Sequence, residues 1–337
     1  MSLRIAVIGA GAFGTALAVH LATRAHAAPS VVLHARDKAA AERLAREHGN
    51  ARYLPGIALP ATIAIEAGLA NVARADVVLA AVPAASLAAL ADALRAERVD
   101  APLVYTSKGF LSTTAAPGHA LIHAALAQRW PAPLAAISGP SFAVEVARGL
   151  PTAVAVAATA PDLARAVAGW LRADALRVYP TDDLAGVETG GAVKNVLAIA
   201  AGASDGLGFG HDARAALITR GLAETGRLSA ALGGRRETLM GLAGLGDLVL
   251  TCTGDLSRNR QVGLGLARGE PLDAILARLG HVAEGVGAAA AARALAGHHG
   301  VDMPIVEAVH RVLAEGVSPA RAVEELLRRE PRDERDA

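Results

Sequence analysis

Through the first half of the chain, short apolar runs alternate with stretches in which apolar residues recur every three or four positions. The runs cover residues 3–8, 31–34, 77–81, 103–106, 134–138 and 152–157, each too short for a typical helix and each followed by a turn or helix signal. Residues 176–179, just before Pro180, offer a last strand. Such alternation predicts an α/β domain, a mostly parallel sheet covered by helices. After about residue 183 the texture changes. Segments near 185–203, 212–232, 284–298, 304–316 and 319–329 read as helices between Gly-rich turns, and no strand run follows. The expected domains are residues 1–183, an all-helical 184–330, and a charged tail over 331–337 that contains Pro331.

Composition narrows the class. A chain of 337 residues suits two domains of roughly 150 residues each. It is 53% apolar, enough for two cores, yet Gly, Pro and charge interrupt every stretch before about 20 apolar residues accumulate, so no membrane insertion is expected. A net charge of +1 argues against nucleic acid as a partner. Cys252 is the only cysteine, so it has no intrachain disulfide partner and no spaced zinc ligands; no metal is expected, and a reducing cytoplasm is the natural setting. Arg4, the apolar stretch after it and Ala25-His26-Ala27 mimic a secretory signal, but three spaced glycines and His20 fit one poorly. Only three of the 33 basic residues are lysines: Lys38, Lys108 and Lys194. Where Arg serves as the generic cation, a retained Lys hints at chemistry that needs a proton to leave.

Gly9-Ala10-Gly11-Ala12-Phe13-Gly14 follows the first strand run and opens a helical pattern. In that context the first glycine permits the tight turn, the second lets backbone amides approach a pyrophosphate, and the third allows close helix–strand packing. The expectation is a Rossmann-like doubly wound sheet binding a dinucleotide; the competing readings are a Gly-rich turn without a ligand or an adenosyl-cofactor methyltransferase. An NAD site usually presents an acid about 20 residues further on. Here the chain reads His34-Ala35-Arg36-Asp37. Arg36 suits a ribose 2′-phosphate, so NADPH/NADP is expected to be accepted, while Asp37 preserves some NADH/NAD use. The bland alternative for Arg36 is a solvated surface charge.

Two segments follow later strands, where a doubly wound sheet binds ligands. Thr106-Ser107-Lys108-Gly109 brings a cation, and Ser138-Gly139-Pro140-Ser141-Phe142-Ala143 brings a helix start with free amides. Both suit a phosphorylated substrate. In the second half, Lys194 and Asn195 follow the paired Gly190-Gly191, Gly244-Leu245-Gly246-Asp247 supplies a lone carboxylate, and Ser257-Arg258-Asn259-Arg260 supplies a compact donor group. Spacing alone does not say which of Arg258 and Arg260 faces inward. Asp247 also reads as a helix N-cap, and Lys194 as an exposed helix lysine.

With Gly9–Gly14, Ser107–Gly109, Ile137–Glu145, Gly190–Val196, Gly221-Leu222-Ala223-Glu224, Gly244–Thr253 and Ser257–Arg260 in order, the chain resembles the bacterial-type NAD(P)-dependent glycerol-3-phosphate dehydrogenases from residue 3 to about 315. The resemblance implies reduction of dihydroxyacetone phosphate to sn-glycerol 3-phosphate, feeding glycerophospholipid synthesis, by a cytoplasmic homodimer. It implies that Lys194 acts as general acid or base, that Asp247 orients it or bonds a substrate hydroxyl, and that Lys108 lies between substrate and coenzyme. Substrate contacts would come from Lys108, Gly139, Ser141, Lys194, Asn195, Asp247, Ser257, Arg258 and Asn259. Coenzyme contacts would come from Gly9, Gly11, Ala12, Phe13, Gly14, His34, Arg36, Lys108, Ala143, Arg258, Val282 and Glu284. Three places depart from the family pattern: Gly210-His211-Asp212-Ala213-Arg214, His34 where an aromatic residue is usual, and Gly287-Ala288-Ala289 where polar residues are common. Cys252 reads as a small buried residue, and His211, His281, His298 and His299 as surface or turn residues. The rivals are another two-domain hydroxy-acid or sugar-phosphate dehydrogenase, and a non-catalytic dinucleotide sensor.

Overall fold

The structure, a computed structural model, describes residues 3–24, 28–69, 71–280 and 283–330. It divides into two compact units, Met1–Ser107 with His123–Leu184, and Lys108–Ile122 with Ala185–Ala337. In the first, strands β1 (Arg4–Ile8), β2 (Ser30–Ala35), β3 (Gly49–Asn50), β4 (Leu54–Ala58), β5 (Ala64–Ala67), β6 (Val77–Ala80) and β7 (Leu103–Tyr105) precede, across the excursion into the second unit, β10 (Leu134–Ser138), β11 (Thr152–Ala158) and β12 (Leu176–Thr181). Eight of them form one sheet in the order β12-β11-β10-β7-β6-β1-β2-β5, while β3 and β4 pair as a separate hairpin. Every pairing in the large sheet is parallel except β10 with β11.

From β1 the chain winds outward through β2 to β5, then returns to β6 on the other side of β1 and winds the opposite way. The reversal between β1 and β6 is the switch point at which such sheets bind ligands. Apolar runs become the central strands for a plain reason: β6 and β10 are buried at every position, as strands covered on both faces must be. Connecting helices α1 (Ala12–Ala22), α2 (Lys38–Glu47), α3 (Ala84–Ala96), α5 (Ala143–Ala147) and α6 (Pro161–Leu171) follow the strands. β5 escapes the sequence pattern because it is a short edge strand containing Glu66, with no fully buried position.

The second unit carries α7 (Leu184–Gly206), α8 (Gly210–Ala231), α9 (Arg236–Leu239), α10 (Asp247–Thr253), α11 (Arg258–Ala267), α12 (Leu272–Leu279), α13 (Glu284–His298), α14 (Pro304–Ala314) and α15 (Pro319–Leu327). Proline opens α14 and α15, where its missing N–H costs nothing. Among the described residues, the only strands of this unit are one hairpin, β8 (Leu111–Ser112) with β9 (His119–Ala120), contributed by residues 108–122. That segment, assigned by sequence to the first domain, belongs to the second because Phe110 and Leu121 are buried in its core with Val193, Leu197 and Leu295. The short helix α4 (Ile122–Leu126) leads back into the sheet.

Candidate active site

In the first unit the glycine loop sits at the switch point. The Gly9 N–H donates to the His34 carbonyl at 3.2 Å, and Ala81 N–H donates to Ile8, so the loop is pinned to the ends of β1, β2 and β6. Each glycine has its own reason. Gly9 has φ +105°, and a Cβ there would stand 2.6 Å from the Ala81 carbonyl oxygen. At Gly14 it would stand 2.1 Å from the Gly9 oxygen, which only a glycine in the first turn of α1 avoids. At Gly11 it would meet nothing within 4 Å. Gly11 is also the N-cap of α1, with Ala12 and Phe13 next, and offers no side-chain cap of its own. An open approach to bare helix amides fits an anionic pyrophosphate, so the residues present fit a dinucleotide.

The other candidate residues of this unit lie within or just after strands β2 and β10. His34 is buried, and its Nδ1–H donates to the Gly68 carbonyl at 3.0 Å. Burial keeps its pKa below the ordinary value, against the pull of that bond and of Glu66. Its ring is therefore neutral and structural in its contacts. Arg36 is exposed just past β2. Asp37 caps α2, accepting from the Ala40 N–H at 2.8 Å, so its carboxylate is engaged. Gly139 follows β10 with φ +141° and the Val154 backbone 2.9 Å from where its Cβ would be; the Ser141 hydroxyl donates back to the Gly139 carbonyl at 3.1 Å. Ala143 begins α5, which packs on Ala16 and Phe13 of α1.

In the second unit Lys194, Asp247 and Lys108 meet. The Lys194 ammonium donates to Asp247 Oδ1 at 2.5 Å and to the Thr251 hydroxyl at 2.9 Å, and Lys108 donates to Asp247 Oδ2 at 2.5 Å. The local fold makes this meeting. Asp247 opens α10 straight after a single π-helical turn, Leu242–Gly246, and Thr251 lies one helical turn further on the same face. Gly190, one turn before Lys194 on α7, lets the helix backbone approach that turn: a Cβ there would be 2.5 Å from the Ala243 oxygen. Burial lowers the Lys194 pKa to about 8, with Lys108 pushing the same way and Asp247 opposing. For Asp247 burial works upward, but the two ammonium groups outweigh it and hold the carboxyl below its ordinary value. With both lysines protonated the cluster carries one net positive charge.

A second network runs beside it. The Gly285 N–H, at the start of α13, donates to Asn259 Oδ1 at 3.0 Å; Asn259 donates to Asn195 Oδ1 at 3.0 Å; Asn195 donates to the Lys108 carbonyl at 3.4 Å. Glu284 is the first residue of α13, and Val282 lies outside the described residues. Ser257 caps α11 by accepting from the Arg260 N–H, and Arg258 follows it, exposed. Arg260 is committed elsewhere: its guanidinium donates to Asp205 and Asp255. Sequence spacing left the two arginines open; Asp205, at the far end of α7, separates them. Thr251 was not singled out from sequence, although its position four residues after Asp247 was the available signal. Cys252 is buried, and burial pushes its thiol up to about 12, which leaves no thiolate for nucleophilic work. Among the described residues no group of three or more His, Cys, Asp or Glu is placed to hold a metal.

Comparison with known proteins covers nearly the whole chain. Residues 4–164 match the family model for the N-terminus of NAD-dependent glycerol-3-phosphate dehydrogenase, and residues 183–324 the model for its C-terminus. A glycerol-3-phosphate dehydrogenase (NAD(P)+) from Aromatoleum aromaticum is 52% identical over 334 residues, covering 98% of this chain and 100% of the relative. One from Ralstonia nicotianae is 53% identical over 339 residues, covering 98% and 99%. The crystal structure of a glycerol-3-phosphate dehydrogenase from Coxiella burnetii superposes with a TM-score of 0.90 at 40% identity, over 97% of this chain and 99% of that one.

Proposed function

Because the chain belongs to the NAD-dependent glycerol-3-phosphate dehydrogenase family, we propose that Lys194 is the group that moves the proton in its reaction and that Lys108 and Asp247 set its readiness. The protein is an NAD(P)-dependent oxidoreductase that interconverts dihydroxyacetone phosphate and sn-glycerol 3-phosphate. The observation that carries the assignment is the Lys194–Asp247–Lys108 cluster, with Lys194 brought to a pKa of about 8.

Lys194 has three donors. Asp247 and Thr251 take two, which leaves one N–H for the substrate carbonyl oxygen. A bound dihydronicotinamide supplies the hydride. As the carbonyl oxygen becomes an alkoxide, Lys194 Nζ gives it a proton and is left as the neutral amine. Asp247, held ionised by the lysines, cannot take that proton; its part is to hold Lys194 in one orientation. The net positive cluster favours the anionic substrate, and Arg258, with the capped N-terminus of α11 and Ser257, holds the phosphate. Asn195 and Asn259 fix Lys108 and α11 through their shared bond while keeping amide hydrogens for the substrate. Gly139 and Ser141 contribute substrate contacts. Gly9, Gly11, Ala12, Phe13 and Gly14 hold the pyrophosphate, with Arg36 at the adenosine ribose and Ala143 and Glu284 completing the coenzyme contacts, while the His34 carbonyl steadies the loop by accepting from the Gly9 N–H. Exposed Arg36 beside an engaged Asp37 supports use of NADPH as well as NADH.

Among the described residues no helix is long and apolar enough to cross a membrane. A homodimer in the cytoplasm, supplying the glycerol phosphate backbone of membrane lipids, is the setting we propose. The test is the loss of absorbance at 340 nm with purified protein, dihydroxyacetone phosphate and either coenzyme. Oxidation with that substrate and none with unphosphorylated dihydroxyacetone is the expected result. Coenzyme binding without turnover would point first to a different substrate and second to a dinucleotide sensor.

A further inference from the structure

We propose that Asn50 is a positioning residue for the coenzyme: it fixes the peptide plane of the glycine loop so that the Gly11 N–H faces the pyrophosphate. The inference rests on reading that loop as the coenzyme site. Asn50 lies 40 positions from the loop, in the hairpin of β3 and β4, an addition to the sheet pattern between α2 and β5. Its side chain is buried, and both amide hydrogens are spent: one on the Ala10 carbonyl at 3.0 Å, the other on the Thr15 hydroxyl at 2.8 Å. Ala10 is the residue between the first two glycines, and Thr15 is fully buried in the first turn of α1, its own N–H donating to the Gly11 carbonyl at 3.0 Å. One amide therefore ties the loop to the helix that follows it.

The consequence comes from peptide geometry. In a trans peptide the C=O and the following N–H point in opposite directions. The Ala10 carbonyl is drawn toward buried Asn50, so the Gly11 N–H of the same peptide points away from it. A side chain on Gly11 would meet open space, which marks a face of the loop that a ligand can reach. If this peptide turned over, a carbonyl oxygen would replace an N–H in front of an anion, and the buried Asn50 amide would lose its acceptor. Asparagine is the residue this needs. Aspartate offers no donor, a leucine offers neither donor nor acceptor, and a carbonyl and a hydroxyl that must be reached together call for two hydrogens on one atom. The hairpin is itself held, since Leu54 of β4 packs with Ala16 of α1 and Val146 of α5.

The test is direct binding of ADP-ribose, which carries the pyrophosphate but no nicotinamide, by titration calorimetry to the wild-type protein and to Asn50→Ala, Asn50→Asp and Thr15→Val. Asn50→Ala is expected to weaken ADP-ribose roughly tenfold, the worth of one well-placed hydrogen bond. Asn50→Asp keeps the shape and loses the donors, so it is expected to lose at least as much, and it carries the comparison if Asn50→Ala does not fold. Thr15→Val keeps the tie to Ala10 and is expected to stay within about threefold of wild type, although it too loses a buried bond. In steady state the coenzyme KM should rise in step with the lost affinity while the KM for dihydroxyacetone phosphate stays. Wild-type affinity in folded Asn50 variants would overturn the inference and leave the loop as the coenzyme site. Equal losses in Thr15→Val and Asn50→Ala would overturn it too, by showing a packing effect. A wild-type protein that does not bind ADP-ribose would remove the reading of the loop, and the inference with it.

Discussion

At the scale of single residues, Lys194 sets the pH behaviour. Its folded pKa, about 8, lies well below that of a free lysine because burial penalises the ammonium. Reduction of the ketone needs the protonated form, so its rate should fall as pH rises through about 8; oxidation of the alcohol needs the neutral amine and should rise through the same region. Initial rates in both directions between pH 6 and 10 (a range of roughly two units either side) check this, and parallel profiles in the two directions would remove Lys194 from the proton path. Lys194→Ala should lower kcat by about two to four orders of magnitude with ADP-ribose binding retained. Arg36→Ala should raise the KM for NADPH about tenfold and leave that for NADH within a factor of about two, because the guanidinium meets only the 2′-phosphate. An unchanged NADPH KM would make Arg36 a surface charge. How legible these residues were depended on the reach of their contacts. Lys108 and Lys194 stood out because lysine is scarce here, and Asp247 because it is an isolated carboxylate. Asn50 was invisible, since its role is set by partners 35 and 40 positions away. Arg258 and Arg260 were indistinguishable until Asp205, 55 positions from Arg260, engaged one of them.

At the scale of elements, Glu224 shows how one helix completes another. Helix α14 opens at Met303-Pro304 without a side-chain cap, and Glu224 of α8 supplies one, accepting from the Ile305 N–H at 2.8 Å and the Val306 N–H at 3.3 Å. Burial nonetheless raises its pKa to about 7, against those bonds and Arg227. A carboxyl whose folded pKa is raised contributes stability that is full below its unfolded value, near 4.5, and lost as pH rises through about 7. Urea midpoints should therefore fall between pH 5 and 8 (roughly the span of that loss), and Glu224→Gln, which cannot titrate, should flatten the fall. Parallel slopes in the two proteins would mean that Glu224 does not titrate there. Sequence reading recovered the long periodic helices and the central strands because each has one face or two to bury. It missed α9 to α12: α9 is a single turn, α10 and α11 lie among Gly-rich turns where close backbone approach replaces apolar periodicity, and α12, with Leu272, Ile275, Leu276 and Leu279 at helical spacing, is short. A Cβ on Gly202 would stand 2.0 Å from the Arg260 oxygen, and one on Gly263 2.0 Å from the Ile199 oxygen, so α7 and α11 cross with no side chain between them. That crossing is written in glycines, which carry no hydrophobic signal.

At the scale of the whole molecule, the two units are not two consecutive stretches of chain. Residues 108–122 leave the sheet after β7, complete the helical unit, and return through α4 to β10. The excursion carries Lys108 to Asp247 and places Phe110 and Leu121 in the helical core with Val193, Leu197 and Leu295. A fragment of residues 185–337 would thus lack two buried apolar side chains and the cation that balances Asp247 beside Lys194. Loss of each large apolar group from a core costs about 2–5 kcal/mol. A domain's whole stability is only about 5–15 kcal/mol. Such a fragment should therefore retain helical circular dichroism but unfold in urea without a cooperative transition, whereas the full chain unfolds cooperatively. Supplying residues 108–122, joined through a short Gly-Ser linker to the start of the fragment, should restore a sigmoidal transition. The same linked segment with Phe110 and Leu121 replaced by serine should fail to do so, because the hairpin backbone alone does not fill the core. A sharp, two-state transition in the bare fragment would show that the helical unit closes its core without this segment, leaving the placement of Lys108 as the segment's only contribution.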